Sequence, residues 1–212
     1  MKLVEDRTKT MLREQGLPVP PGRSAATAQE CRQAAADMGG SVAVKALVAA
    51  GRRGKAGLVR LADSPEEAAA AAADIIGRDS VEGRVGRVYV EARVQIAREL
   101  YVSFAFSDRA PRVVLSCKGG VDIEQVFARA PDAVVQADLD PLRGLPVWEA
   151  MDLWAKAGLK GRLLPVAART TERLYAAFVA CDAQMLEINP LAIDPDGAPS
   201  LVGAMMEIDD DA

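Results

Sequence analysis

Two capped helix starts bracket the segment that most narrows the fold. Thr27 stands three residues before Glu30, and Ser64 three before Glu67 with Pro65 at the first helical position, so the alanine-rich stretches that follow read as helices. Between them lie SVAVKAL and LVRLAD, two short apolar runs joined by AAGRRGKAG. That is strand, glycine-rich loop, strand. Upstream, Val4, Thr8, Met11 and Leu12 recur at helical spacing until Gly16 and PVPPG stop the pattern, so the chain opens with one helix. Downstream, Val88, Val90, Ala92 and Val94 alternate with Tyr89, Glu91 and Arg93. ELYVSFAFS and PRVVLSC alternate too, which predicts a largely antiparallel sheet. GLPVWEAMDLWAKAGL and residues 163–182 predict helices, the second burying Ala167, Leu174, Phe178 and Cys181, while MLEINPLAID and SLVGAMMEID read as two closing strands. Helices and strands mix without the regular βα alternation or fingerprint turn of a dinucleotide-binding fold, so the fold class is α+β with two lobes.

With 212 residues, half of them hydrophobic, the chain can bury a real core, and its net charge of −4 gives no field that would draw it to nucleic acid or to anionic lipid. The N-terminus mixes charges into a helical pattern and no stretch reaches about 20 apolar residues, so the sequence predicts a cytoplasmic protein. Cys31, Cys117 and Cys181 are odd in number and far apart, and read as small buried hydrophobes. Histidine is absent. Any chemistry therefore rests on carboxylates, lysine, arginine and backbone groups.

The loop AGRRGKAG combines glycines for close backbone approach with the cations Arg52, Arg53 and Lys55, as phosphate binding requires; a solvated basic turn would look the same. Lys45 lies inside an apolar strand six residues before the first of these arginines' glycine, Gly51, where it must point outward or meet an anion. That anion is either a nucleotide phosphate or a carboxylate. Glu187 and Asn189 stand two apart on a predicted strand, on one face, about 6 to 7 Å apart along the chain. They suit either a phosphate-bound cation or a buried Asn–Glu hydrogen bond.

VEDRTKTMLREQGLPVPPG, AVKALVAAGRRGKAG, VYVEARVQIARELYVSFAFSDR, CKGGVDIEQV and LEINPLAID occur here in the order of similar segments in succinyl-CoA synthetase β subunits. The resemblance spans essentially the whole chain and implies an ATP-grasp fold, two lobes with the nucleotide cleft between them. It implies one lobe of residues 20–93, a second of 1–19 and 94–212, and absence of the family's CoA-ligase domain. By the same resemblance Lys45, Arg52, Arg53 and Gly54 meet the phosphates of ATP. Glu91 and the backbone at Val94 fall where the family holds adenine, and Glu99 matches a further nucleotide-contacting glutamate; by themselves both glutamates read as exposed strand carboxylates. Glu187 matches a glutamate facing the phosphohistidine of an α-like partner subunit that also holds the CoA site, and Asn189 matches a Mg²⁺ ligand. A separate ligase-domain subunit is the further partner implied.

Four positions depart from the family pattern. Gly203 replaces an aspartate that is the second metal ligand, and Met205 replaces the lysine two residues on. Glu207 shares their strand face but lies about 13 Å beyond Gly203. Arg52 replaces a glycine, and Lys118 a glutamate before Gly119 and Gly120. Two functions follow as expectations: a catalytic ATP-binding component of an ADP-forming acyl-CoA synthetase, or a non-catalytic nucleotide-binding or assembly module with a degenerate metal site.

Overall fold

A computed structural model of the protein describes residues 1–49, 56–107, 110–120, 126, 128 and 133–211. In chain order its first elements are β1 (Lys2–Leu3), α1 (Glu5–Glu14), β2 (Gly22–Ala25), α2 (Ala28–Asp37), β3 (Val42–Ala46), β4 (Val59–Ala62) and α3 (Pro65–Ile75). Then come β5 (Asp79–Ser80), β6 (Gly83–Arg84), β7 (Val88–Ala92), β8 (Arg98–Phe106), β9 (Pro111–Ser116) and β10 (Val134–Asp138). The last are α4 (Val147–Lys156), α5 (Leu163–Ala180), β11 (Ala183–Ile193), β12 (Pro199–Leu201) and β13 (Ala204–Ile208). The chain divides into a larger unit, Met1–Leu3, Thr10–Val19 and Gln95–Ala212, and a smaller one, Val4–Lys9 and Pro20–Val94.

In the smaller unit four antiparallel strands run in the order β2-β7-β3-β4. Both helix starts are capped as their sequences predict, Thr27 Oγ1 accepting from the Glu30 N–H at 3.1 Å and Ser64 Oγ from the Glu67 N–H at 3.2 Å. These caps set α2 and α3 against one face of the sheet, where Val42, Val44, Val88 and Val90 meet Cys31, Ala34, Ala68, Ala72 and Ile75. Each valine so buried contributes on the order of 1.5 to 3 kcal/mol. The two-residue period of a strand then turns Ala43, Lys45, Tyr89 and Glu91 to the opposite face.

The larger unit holds a seven-stranded antiparallel sheet, order β1-β13-β11-β8-β9-β10 with β12 on β11. One face buries Leu100, Val102, Phe104, Leu186 and Ile188 with the helix residues Trp154, Leu174, Tyr175 and Phe178. The indole N–H of Trp154 is satisfied inside this core by Thr171 Oγ1 at 2.9 Å. Alternation brings Tyr101, Ser103, Glu187 and Asn189 to the other face.

Strands β2, β5, β6 and β10 go beyond the sequence reading, and Cys117 and Cys181 are only partly buried, unlike Cys31. Three further features differ from the sequence reading. Lys2–Leu3 forms an edge strand on β13, too short for periodicity to reveal. Helix α1 buries Glu5, Thr8, Lys9 and Leu12, so its inner face is centred on charged residues and not on Val4 and Met11, which are only partly covered. SLVGAMMEID is two strands, interrupted at Val202–Gly203, where both N–H groups turn to the Pro190 carbonyl at 3.2 and 3.4 Å.

Candidate functional site

Lys45 stands in β3 with its side chain on the face of the smaller sheet opposite α2 and α3, where Glu5 and Lys9 of α1 meet it. Its ammonium donates to Glu5 Oε1 at 3.0 Å and to Glu91 Oε1 at 2.7 Å, both carboxylates lying within the same unit. Lys9, one turn after Glu5 on α1, donates to Glu5 Oε1 at 2.8 Å and closely to Glu91 Oε2. The result is a ring of two lysines and two glutamates in which each carboxylate serves both cations. Lys9 also lies over the Tyr89 ring, 5.4 Å from its centroid. Gly22, opposite Glu91 on β2, leaves the space that the Tyr89 phenol fills, since a Cβ there would collide with it.

Burial pulls the Lys9 ammonium below its ordinary range, the neighbouring glutamates only partly offsetting it. Burial also opposes the charge on Lys45, but Glu5 and Glu91 outweigh it and hold that ammonium above its ordinary value. Of the alternatives the sequence left for Lys45, the carboxylate partner is present, and Glu91 is an interior residue of β7 and not an exposed strand carboxylate. Glu5 and Lys9 are the members that sequence reading missed. An i,i+4 Glu–Lys pair reads as helix surface; the clue was that both lie in register with the apolar Leu12.

On the larger sheet, Glu187 and Asn189 share the face of β11 opposite α4 and α5. Tyr101 on β8 donates its hydroxyl to Glu187 Oε2 at 3.0 Å. The pairing of β11 with β8 slips by one residue between Ile188 and Leu191, a bulge that falls where Pro190 has no N–H to give a ladder. Asn189 accepts at Oδ1 from the Gly120 N–H at 2.7 Å, and the Gly119 N–H donates to the Glu99 carbonyl at 2.9 Å. A Cβ at Gly119 would strike the Leu100 carbonyl, and Gly120 has φ of 93°, a left-handed conformation that disfavours a side chain. The glycine pair thus ties the Asn189 amide oxygen to the backbone at Glu99, a role its sequence did not announce.

Gly203 lies against the same asparagine. Its carbonyl accepts from the Asn189 N–H at 2.9 Å, and a Cβ on it would run into the Asn189 carbonyl. The backbone has closed over the position where the resemblance puts a second metal-binding carboxylate. Among the described residues no three histidine, cysteine, aspartate or glutamate side chains converge to hold a metal ion. An octahedral, oxygen-seeking Mg²⁺ would find here one amide oxygen already engaged and the carboxylates of Glu187 and Glu99, a donor set that does not make a metal centre of its own.

Of the remaining positions implied by resemblance, Glu99 is exposed on β8, and Val94 is partly covered two residues after β7 ends. Arg52, Arg53 and Gly54 lie outside the described residues. The structure therefore brings Lys45 and Glu91 together in the smaller unit, and Glu99, Glu187 and Asn189 together on the larger sheet. No described helix is long and apolar enough to cross a membrane.

Comparison with known proteins points one way. Residues 2–193 match the model of the ATP-grasp domain. The chain is 41% identical over 211 residues to the β subunit of an ADP-forming succinate–CoA ligase of Rubrobacter xylanophilus, covering 99% of this chain and 55% of that protein. It is 40% identical to the β subunit of a GDP-forming succinate–CoA ligase of Thermus thermophilus, covering 100% of this chain and 56% of that protein. The chain thus spans a little over half the length of these relatives. Among solved structures, a dinucleotide-forming acetyl-coenzyme A synthetase of Ca. Korarchaeum cryptofilum, in complex with coenzyme A and Ca-AMPCP, superposes with a TM-score of 0.81 at 19% identity, covering 98% of this chain and 93% of that one. An ATP citrate lyase of Methanothrix soehngenii, with citrate and coenzyme A, superposes with a TM-score of 0.76 at 18% identity, covering 99% of this chain and 51% of that one.

Proposed function

The chain belongs to the ATP-grasp family, and from that premise we propose that it is the ATP-binding component of an ADP-forming acyl-CoA synthetase. In this reading it passes the γ-phosphoryl group of ATP to a histidine of an α-like partner subunit. What carries the reading is the match to succinate–CoA ligase β subunits at about 40% identity over the entire chain. Such a step breaks the bond between the γ-phosphorus and the β-γ bridging oxygen, forms a phosphorus–nitrogen bond to the partner imidazole, and releases ADP. Catalysis of this kind is mostly positioning and charge stabilisation. Lys45 is the described cation suited to the phosphates, with Arg52, Arg53 and Gly54 following in the loop. Glu187, held by Tyr101, offers a carboxylate able to accept the imidazole's one N–H, on the ring nitrogen opposite the attacking one, and so orient the attacking nitrogen.

A second reading has its own support. The backbone closed over Gly203 removes one anionic ligand, as expected of a module that binds nucleotide without transferring phosphate. Titration calorimetry tests binding: Lys45→Ala should weaken ATP on the order of tenfold or more, the loss of a charge-assisted contact of about 1.5 to 3 kcal/mol. Equal affinities would refute the phosphate role. Transfer is tested by mixing protein, γ-labelled ATP and the α-like partner. Label on the partner histidine with wild type but not with Glu187→Gln supports catalysis, while ATP binding without any label supports the module.

A further inference from the structure

We propose that Lys9 is a positioning residue for nucleotide binding: a fixed cation that shares Glu5 and Glu91 with Lys45 and thereby lowers the cost of turning Lys45 to a phosphate. The inference rests on the reading that Lys45 meets the nucleotide.

The geometry divides the two lysines by role. The Lys9 side chain is wholly enclosed, whereas that of Lys45 is 6% exposed and the two carboxylates 1% each. Lys45 is thus the member of the ring nearest to solvent. Lys9 is locked from three directions, by Glu5 on its own helix, by Glu91 on β7 and by the Tyr89 ring.

Charge balance explains why two lysines are needed. The four side chains carry two positive and two negative charges in a dry setting, where an uncompensated charge is costly. If Lys45 alone faced both glutamates, moving its ammonium toward a phosphate would strand two buried anions. With Lys9 holding an oxygen of each carboxylate, half of that charge stays compensated while Lys45 moves. Glu5 shows the sharing most directly, because one and the same oxygen, Oε1, accepts from both ammonium groups. Removing Lys9 therefore takes a cation from both carboxylates and sets them in stronger competition with the nucleotide for Lys45. Removing Glu5 loosens the grip on Lys45.

The test is ATP affinity by calorimetry in a set of variants, with folding checked by near-UV circular dichroism. Lys9→Met should weaken ATP about tenfold although Lys9 does not touch it, and Lys9→Met combined with Glu5→Gln should recover most of that loss. In a Lys45→Ala background Lys9→Met should change nothing further, because the two act through one group. An equal loss from Lys9→Met with and without Lys45 would overturn the proposal. If Lys45→Ala itself binds ATP as wild type does, the underlying phosphate reading fails and the proposal with it, a result distinct from the preceding one. Should Lys9→Met not fold, Glu5→Gln alone decides: a few-fold tighter ATP binding in a less stable protein supports the shared-carboxylate device, because a purely structural role does not improve affinity. Binding equal to or weaker than wild type overturns it.

Discussion

The two sheets solve the same problem differently. Each packs one face against a pair of helices, α2 and α3 or α4 and α5, and carries polar side chains on the other. On the smaller sheet that face is dry, and Lys45 and Glu91 persist there because Lys9 and Glu5 complete the charge balance. On the larger sheet Glu187 and Asn189 are only half-buried, and the contacts that orient them include a phenol and a backbone amide. A charge in the dry ring cannot be altered singly, whereas the half-wet face can lose one and still fold. That difference fits three of the four departures from the family pattern, since Lys118, Gly203 and Met205 belong to the larger unit; Arg52, in the sequence range of the smaller unit, lies outside the described residues.

The comparison breaks most visibly at Lys9. Replacement by methionine takes one cation from two buried carboxylates and should cost about 3 to 5 kcal/mol, the usual consequence of splitting a buried ion pair. Glu187→Gln, which keeps shape and an acceptor oxygen on the half-wet face, should cost less than about 1 kcal/mol. Urea unfolding of both variants checks this. Similar losses from the two would mean that burial does not separate the faces as argued.

Gly203 offers the next largest effect. Gly203→Ala forces a Cβ against the Asn189 carbonyl and should destabilise by about 1 to 3 kcal/mol, as overpacking does. Gly203→Asp should suffer the same collision and should therefore leave the Mg²⁺ dependence of ATP binding unchanged. A variant that is stable and gains metal dependence in an ATP titration would show that the backbone reopens, making the larger sheet more adaptable than its closed geometry implies.

Much of this was legible in the residues because it is local. Thr27 and Ser64 cap helices where their partners three residues on say they should, and β3 and β4 flank the glycine-rich loop as read. The face shared by Glu187 and Asn189 follows from strand alternation alone. What escaped depends on distant partners. Glu5 and Lys9 read as a solvated helix pair until β7 brings Glu91 to them. Lys45 had two candidate anions, and only the fold says which carboxylates surround it. Gly203 could be recognised as a lost ligand, but not as a residue whose missing side chain lets β13 approach Asn189. The strands at Lys2–Leu3 and Gly22–Ala25 are too short to carry a period.

The smallest effect supplies the reference that sharpens the comparison, because it lies on the larger sheet in open solvent. Arg112 on β9 donates to Asp138 on β10 through Nε at 2.7 Å and Nη2 at 3.2 Å, with both side chains about half exposed. The Arg112 hydrogen bond is the main reason the Asp138 carboxyl sits below its ordinary value of 3.8, slight burial opposing it and Ser107 assisting. A carboxyl depressed in the folded state contributes stability that is fully present above its unfolded value. That contribution must fade as pH falls from about 3.8 through the lower folded value. Arg112→Gln should accordingly lower the thermal midpoint only slightly at pH 7, and the gap from wild type should close in acid. It should also shrink as salt is raised, since exposed charges are screened within a Debye length of about 8 to 10 Å at ordinary ionic strength. The loss in Lys9→Met should be nearly indifferent to salt, because its charges have no water around them to admit counterions. If salt instead reduces both losses alike, the ring on the smaller sheet is wetter than its geometry states, and the contrast between the two faces collapses.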